Sequence, residues 1–545
     1  FEFLKSQVDT GYFEDLIRTY LLENTHGAVV IIRPERGRTA RMDRELAEKL
    51  KAYKESLSPE EVQKLVDHTH ELEQYQEEES SPEDLAKIPV LKRTDISREI
   101  APIYNDEMEI GGVKLVHHNI ETNGIGYVTM MFDLSGIREE LLPYVGILQS
   151  VLGIIDTTNY EYGELFNEIN IHTGGIGTSL ELYTDVTKVK EKEFRATFEM
   201  RGKALYPKMD VLFSMMREIL MESRLDDEKR LKEILAMLKS RLLASFLSSG
   251  HTTAALCALS YTSPMSKFKD DTDGIGFYEA VKKIEEDFDG QKETLIRNLK
   301  EIARRIFRAD NLMISYTSSE EGIEPMTKAF AAVKDSLYTG GEIPDEACIL
   351  HCRKRNEGFK TSSKVQYVAR VGNFIDGGQK YSGTLQILKV ILGYDYLWQN
   401  IRVKGGAYGC MSNFNRIGDA YLISYRDPNL ERTMEVYEGV VDYLKNFNVS
   451  DRDMNKFIIG TMSSLDRPMN PAAKGARSMN LYMNRVSEEM LRSERGQILD
   501  AQQEDIRALA DVVKAMLDQK LLCVIGSEEK IEEQRGMFLE VRTLS

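Results

Sequence analysis

One short segment joins a double glycine to two side chains that could hold a reacting carbonyl group. The segment RVKGGAYG spans residues 402–409 and follows apolar residues with helical spacing. Gly405 and Gly406 permit a turn, or a close backbone approach, that side chains would block. Arg402 offers a fixed fork of donors and Tyr408 one phenolic donor, so the pair could bind a peptide carbonyl or stabilise an oxyanion. The alternative interpretation is a structural arginine beside a half-buried tyrosine.

An earlier segment keeps the double glycine but not the polar pair. The segment HTGGIG at 172–177 aligns with the later one and has Ile171 and Gly177 where the later one has Arg402 and Tyr408. A fold that repeats itself needs the glycines in both copies, whereas only one copy carries the donors. This contrast favours a functional role for the Arg–Tyr pair.

The histidines form no complete metal motif. A helical zinc site needs two histidines four residues apart and a glutamate nearby as general base, because this spacing puts both imidazoles on one face. The segment HELEQ at 70–74 lacks the second histidine of HExxH, and HNIET at 118–122 lacks the second histidine of HxxEH. The sequence also has no GxxxxGK[ST] phosphate loop and no GxSxG nucleophile elbow. We therefore expect no metal ligand set and no resident cofactor in this chain.

The cysteines indicate reduced thiols. Their number is odd and no CxxC pair occurs; they are Cys257, Cys348, Cys352, Cys410 and Cys523. Cys348 and Cys352 lie four residues apart with His351 between them, so a metal or disulfide role is the alternative. Reduced thiols are typical of a reducing compartment, and we expect the cytoplasm, with an organelle matrix as the second choice.

Composition excludes several classes of protein. At 545 residues, 42% apolar and 29% charged, the chain can bury three or four domains or subdomains. Its net charge of −17 argues against general nucleic-acid binding, which needs a basic surface. No apolar run approaches the ~18 residues of a membrane span. The sequence begins at Phe1 without a methionine or a signal-peptide pattern, so we expect a fragment of a longer chain.

The first hundred residues differ in pattern from the rest. Residues 12–22 have the apolar spacing of a helix, and AVVIIRP at 28–34 has the composition of a strand, which together would complete a preceding domain over 1–37. Residues 38–99 are charged and predict a helical hairpin that serves as an arm or linker. Ser58 and Glu61 predict a capping box at the start of its second helix.

From about residue 110 strands and helices alternate, and the order of the elements occurs twice. YVGILQSVLG resembles the later GTLQILKVILG, and NLMISYTSSEE resembles the later LLCVIGSEE. We infer two copies of one α+β domain, roughly 100–335 and 345–545. Chance similarity between amphipathic elements is the alternative, but it does not explain the shared order.

Over essentially its whole length the sequence resembles the pitrilysin/insulinase superfamily of zinc metallopeptidases, and most closely the presequence-protease branch. The resemblance lies in RVKGGAYG, HTGGIG, YLLENTHGAVVIIRPERG at 20–37, the charged hairpin, LPYVGILQSVLG and LYTDVTKVK. Members have four homologous α+β domains in two halves, which close around a peptide chamber. The resemblance implies the end of the second domain at 1–37, the linker at 38–99, the third domain at 100–340 and the fourth at 341–545.

The resemblance also implies a function and a division of labour. The family's HxxEH motif, with its zinc and general base, belongs to the first domain, which this chain lacks. The chain would then be the non-metal half of an oligopeptidase that degrades unfolded peptides, with the N-terminal half of the same polypeptide as its partner. Arg402 and Tyr408 match the pair that the family places opposite the zinc, and Gly405 and Gly406 would border the substrate. The alternative is a non-catalytic scaffold or peptide-binding subunit; neither interpretation involves nucleic acid or a membrane.

Overall fold

The computed structural model describes residues 1–33, 35, 37–78, 80–339 and 350–544. The chain divides into two compact units, Phe1–Val90 and Leu91–Ser545. Cys348, one of the cysteines discussed above, lies outside the described residues.

The first unit is helical. Its helices are α1 (Glu2–Ser6), α2 (Tyr12–Ile17), α3 (Arg38–Ser56), α4 (Pro59–Glu77) and α5 (Pro82–Lys87), and a π-helical turn over Arg18–Leu22 extends α2. The predicted capping box at α4 is confirmed, because the Glu61 amide donates to Ser58 Oγ at 3.2 Å and the Ser58 amide donates to Glu61 Oε2 at 2.8 Å. Two residues separate α3 from α4, as expected for consecutive helices of a hairpin.

The prediction of a strand in AVVIIRP is wrong for residues 28–33, the part of this segment that the structure describes. Residues 24–33 form neither helix nor strand. The side chains of Val29, Val30, Ile31 and Ile32 are 76–91% exposed. A strand is stable only where a neighbouring strand satisfies its backbone groups, and none of the described strands pairs with this segment. Pro34, the expected end of this strand, is not among the described residues.

The second unit contains two six-stranded sheets. The first has the order β1-β2-β6-β3-β5-β4, where the strands are β1 (Asp106–Ile110), β2 (Val113–Asn119), β3 (Ile125–Asp133), β4 (Ile176–Tyr183), β5 (Arg195–Leu205) and β6 (Leu312–Ser318). Its helices are α6 (Leu142–Val151), α7 (Tyr162–His172), α8 (Met209–Met221), α9 (Glu228–Ser260), α10 (Pro264–Asp273), α11 (Ile275–Glu286), α12 (Phe288–Ile306) and α13 (Ile323–Lys334).

The second sheet has the order β12-β7-β11-β8-β10-β9. Its strands are β7 (Glu357–Thr361), β8 (Tyr367–Asn373), β9 (Gly409–Phe414), β10 (Asp419–Tyr425), β11 (Leu521–Ser527) and β12 (Glu540–Thr543). Its helices are α14 (Thr384–Tyr394), α15 (Glu431–Lys445), α16 (Asp451–Leu465), α17 (Pro471–Met483), α18 (Glu488–Asp500), α19 (Gln503–Leu517) and α20 (Glu528–Glu533).

The two sheets share one topology, which confirms the repeat inferred from sequence. The strands β2-β6-β3-β5-β4 and β7-β11-β8-β10-β9 have the same chain order and the same sequence of one parallel and three antiparallel pairings. Only the added edge strand differs: β1 precedes the first set and is antiparallel to β2, whereas β12 follows the second set and is parallel to β7. The fold is therefore α+β, with two homologous sheet-plus-helices domains.

Each sheet packs against a helix from the other copy of the domain. The long helix α9 contacts β8, β10 and β11 of the second sheet, and α17 contacts β2 and β6 of the first. Apolar residues of the second sheet, including Val371 and Cys523, accordingly share one core with Ala254 of α9. The boundary at 340/341 separates the two sheets along the chain and stays a prediction, since each domain is completed by an element from across it.

Among the described residues, one helix is long and apolar enough to cross a bilayer by length and composition, namely α9. Its side chains explain that composition without a membrane, because Leu235, Leu238, Phe246 and Ala254 are buried in the core. The absence of a membrane span stays a prediction.

Candidate functional site

The double glycine at 405–406 forms a tight turn between a π-helical segment, Trp398–Val403, and strand β9. The amide of Gly406 donates to the Arg402 carbonyl at 2.9 Å, and that of Ala407 donates to the Ile401 carbonyl at 3.0 Å. Gly406 has φ +78°, in the left-handed region that favours glycine. A Cβ on Gly405 would lie 2.4 Å from the Ile401 carbonyl oxygen. Both glycines are therefore required by the turn itself.

Residues of the β10–α15 connection hold this turn in place. The Asn429 side-chain amide donates to the Gly405 carbonyl at 2.6 Å. The amide of Asn429 in turn donates to the Asp427 carboxylate at 2.9 Å, and the Thr433 hydroxyl donates to the same carboxylate at 2.6 Å. Burial raises the pKa of Asp427, while the hydrogen bond from Thr433 opposes that rise. The turn is thus anchored from one side by a network of short hydrogen bonds.

The structure brings Arg402 and Tyr408 together across the turn. The Arg402 guanidinium carbon lies 4.2 Å from the centroid of the Trp398 ring and 5.7 Å from that of Tyr408. Stacking of this kind fixes the guanidinium plane and leaves its in-plane N–H groups available. Within the described part of the chain, Arg402 has no hydrogen-bond or ion-pair partner. The Arg402 guanidinium thus lies beside the Tyr408 ring, and the catalytic role of the pair stays a prediction.

Tyr408 is exposed, but contacts with Tyr425 hold it in place. Its side chain is 65% accessible, and its ring lies edge-on to Tyr425 with centroids 5.7 Å apart. Its amide donates to the Tyr425 carbonyl at 3.0 Å. The phenol oxygen has no hydrogen-bond partner among the described residues. The ring of Tyr408 therefore packs against Tyr425 while most of the residue stays accessible to solvent.

A histidine from the other copy supports this arrangement. The His251 ring lies edge-on to Tyr425, with centroids 4.8 Å apart, and comes from α9 just after Ser249, whose φ of −130° kinks the helix. Burial lowers the pKa of His251, and its Nδ1 has no hydrogen-bond partner in the part of the chain that the structure describes. Sequence reasoning missed His251, Trp398 and Tyr425, because their roles depend on contacts between distant segments.

Burial favours the protonated form of the neighbouring thiol, Cys410. Burial raises the pKa of Cys410 to about 11, although the charge of Arg402 acts in the opposite direction. A thiol with this pKa stays protonated near neutral pH, and only thiolates react efficiently. Cys257, Cys352, Cys410 and Cys523 are all free. The site therefore offers hydrogen-bond donors and positive charge rather than covalent chemistry.

The first copy carries an equivalent turn. Gly175 has φ +108° and lies between the end of α7 at His172 and the start of β4 at Ile176. Ile171, the counterpart of Arg402 in the sequence alignment, is 68% exposed at the end of α7. The turn recurs without the Arg–Tyr pair, so the turn alone does not require those side chains.

The described residues do not fit a zinc site. They contain no group of three or more His, Cys, Asp or Glu side chains placed to hold a metal ion. His118 instead lies in β2, where its Nδ1 is 2.5 Å from the Tyr104 carbonyl and its Nε2 is 2.9 Å from Ser315 Oγ. Burial lowers the pKa of His118. This histidine is a satisfied structural residue of the first sheet.

Comparisons with known proteins agree with this architecture. Two family models match, one described as associated with peptidase family M16, subfamily C, over residues 32–284 and one as the PreP C-terminal domain over residues 356–528. Protein HypA of Clostridium perfringens is 37% identical over all of this chain and 55% of its own length. Presequence protease 1 of Arabidopsis thaliana is 27% identical, with 97% of this chain and 49% of that protein covered.

Solved structures show the same fold at low identity. A protease from Helicobacter pylori matches with a TM-score of 0.53 at 14% identity, covering 78% of this chain and 99% of that one. A peptidase M16 inactive domain from Pseudomonas fluorescens matches with a TM-score of 0.52 at 13% identity, covering 78% of this chain and 97% of that one.

The chain belongs to the pitrilysin-like metallopeptidases, in the presequence-protease branch, and corresponds to the C-terminal half. It spans about half the length of the curated relatives it matches.

Proposed function

We propose that this chain is the non-metal half of a zinc-dependent oligopeptidase that degrades unfolded peptides inside a closed chamber. Its partner would be the N-terminal half of the same polypeptide, which would hold the zinc ion. The family membership supports the reaction class, and the arginine–tyrosine geometry supports the role of this half. The free thiols are compatible with a reducing compartment, either cytoplasm or an organelle matrix.

One observation carries the proposal. Arg402 and Tyr408 are two donors without hydrogen-bond partners among the described residues. They flank a turn that two glycines and a hydrogen-bond network hold in place. Donors fixed in advance stabilise a developing negative charge without reorganising, which is the general basis of oxyanion stabilisation. Arg402 would bind the substrate carbonyl through its planar fork, with the guanidinium held over the ring of Trp398. Tyr408 would add one further donor from the other end of the turn.

The glycines would contribute space rather than donors. The amide of Gly406 and the carbonyl of Gly405 are both engaged inside the protein. The absence of side chains at these positions would let a peptide backbone approach Arg402 and Tyr408 closely. A chamber that closes only when both halves meet would admit unfolded peptides and exclude folded proteins by size.

The proposal is tested by measuring zinc content and peptide cleavage for the complete polypeptide and for the 545-residue chain alone. We expect the complete polypeptide to carry one zinc ion per chain and to cleave an unstructured peptide. We expect the 545-residue chain alone, rinsed with chelator, to carry no stoichiometric zinc and to cleave nothing. Zinc-dependent cleavage by the isolated chain would contradict the division of labour. A complete polypeptide without an HxxEH motif and without zinc would favour the non-catalytic scaffold, the role that fits a peptidase M16 inactive domain.

A further inference from the structure

A second polar site lies on the first sheet and does not include Arg402 or Tyr408. A cavity of about 490 Å³ separates α17 from the face of the sheet that α17 covers. The helix lies close to the sheet at Gly475, where a Cβ would lie 1.9 Å from Thr317 Oγ1. Ala472 and Ala476 line the cavity with side chains too small to fill it. The sequence of α17 therefore keeps this space open.

The floor of the cavity carries a fixed guanidinium. Glu199, only 1% exposed, accepts hydrogen bonds from Tyr183 at 2.6 Å, Thr197 at 3.1 Å and Arg201 Nε at 3.0 Å. Arg201 also donates to Glu181 at 2.8 Å. A buried carboxylate with three donors locks the arginine in one orientation, as buried charges must be paired to be stable.

Lys203 supplies a positive charge beside Arg201. It lies two residues after Arg201 on β5, on the same face of the strand, and lines the same cavity. Within the described ranges Lys203 has no ion pair. Glu181 and Glu199 are both engaged by Arg201, so the ammonium of Lys203 remains available to a ligand.

The double glycine of the first copy positions this lysine. A Cβ on Gly174 would lie 2.5 Å from Lys203 Cε, so the glycine leaves room for the lysine stem. The amide of Gly174 donates to the Lys203 carbonyl at 2.8 Å, which joins the turn to β5. The turn that presents Arg402 and Tyr408 in the second copy thus borders, in the first, a cavity that Lys203 lines.

From this geometry we propose that the cavity between the first sheet and α17 is an accessory site for a peptide segment, and that it binds a carboxylate of that segment on Lys203 beside Arg201. Thr129 and Thr317 line the same space, and a threonine hydroxyl can form a hydrogen bond with a peptide backbone. The cavity also contains Glu181 and Glu199, but Arg201 pairs with both carboxylates, so Lys203 is the charge left to a ligand. The choice of a peptide as ligand rests on the proposed function, whereas the preference for a carboxylate rests on the cavity.

Two sources of carboxylate fit this chemistry, an acidic side chain and a peptide C-terminus. Fluorescence anisotropy of labelled unstructured peptides with the 545-residue chain distinguishes them. One peptide carries internal glutamates and an amidated end, the second carries glutamines and a free end, and the third carries glutamines and an amidated end. We expect the third to bind at least 10-fold more weakly than one of the first two at low salt.

Two variants test the site without touching the turn at 405–406. Lys203→Met removes the charge and keeps the stem, so it should abolish the preference for the carboxylate peptide, whereas Lys229→Met, an exposed lysine of α9, should not. Ala476→Leu fills the cavity from an exposed helix position that tolerates leucine, so it should weaken binding of all the peptides. Equal binding of charged and neutral peptides, or wild-type binding by both Lys203→Met and Ala476→Leu, would overturn the proposal. Arg402→Lys should leave this preference intact, so a failure here is separable from a failure of the proposed function.

Discussion

The guanidinium of Arg402 stacks on the ring of Trp398, with 4.2 Å between the guanidinium carbon and the ring centroid. Trp398 is the single tryptophan of the sequence. Tryptophan fluorescence of this protein therefore reports on the immediate surroundings of Arg402 and on little else. The structure supplies its own probe of the candidate site.

Arg402→Lys should change the tryptophan emission spectrum. The substitution keeps a positive charge but removes the planar group that covers the indole, so Trp398 becomes more exposed to water. The lost cation–π contact costs about 0.5–1 kcal/mol at an exposed site, so the melting temperature should change little. Arg432→Lys, at an exposed position of α15, serves as the control. Identical spectra for wild type and Arg402→Lys would contradict the stacked geometry.

Alanine at either glycine of the turn should destabilise the protein. Gly406→Ala forces a Cβ into the left-handed region, which costs about 1–2 kcal/mol. Gly405→Ala should cost more, because its Cβ would meet the Ile401 carbonyl, a backbone atom that cannot move aside alone. Gly393→Ala in α14 meets nothing within 4 Å and should be neutral or stabilising. Denaturant unfolding measures all three; equal free energies of unfolding would refute the account of the turn.

The buried carboxyl group of Asp270 should cause the free energy of unfolding to fall as pH rises. Burial raises its pKa from 3.8 to about 7, with the charge of Asp271 adding to the effect and that of Lys267 opposing it. Between these two pH values the folded chain holds a proton that the unfolded chain has lost, so the free energy of unfolding falls as pH increases from about 4 to about 7.

Asp270→Asn tests this sign. Asparagine stays uncharged and can still accept from the amide of Ile275, which donates to Asp270 at 3.0 Å. The variant should therefore lose less stability than wild type between about pH 4 and pH 7 in thermal melts. Asp511→Asn, at an exposed position of α19, should retain the wild-type slope. A wild-type slope in Asp270→Asn would show that this carboxyl does not titrate in the window.

Local sequence patterns predicted the parts of the fold that depend on neighbouring residues. The capping box at Ser58 and Glu61 and the turn at 405–406 follow from spacing and residue type. The repeated order of elements predicted the shared topology of the two sheets. Arg402 and Tyr408 stand out in the sequence as donors that flank a double glycine, and their absence from the first copy favours a functional role, which stays a prediction.

The rest depends on contacts between distant segments. The apolar residues 29–32 have the composition of a strand, but composition does not supply the partner strand that would satisfy their backbone. Nothing in the pattern of α9 or α17 indicates that each covers the other copy's sheet. For the same reason His251, over 150 residues before Tyr408, could not be placed beneath the candidate site.

The most direct test of the central claim is kcat/KM of the complete polypeptide on an unstructured peptide, with Tyr408→Phe compared with wild type. The substitution removes one hydroxyl from a 65% exposed ring, so zinc content and melting temperature should stay the same. Loss of one donor to an oxyanion typically lowers the rate by about 10²–10³-fold, and we expect a loss of that order. Tyr394→Phe, at another exposed tyrosine, should be fully active. Full activity in Tyr408→Phe, or a loss that follows unfolding, would contradict the catalytic role of this half.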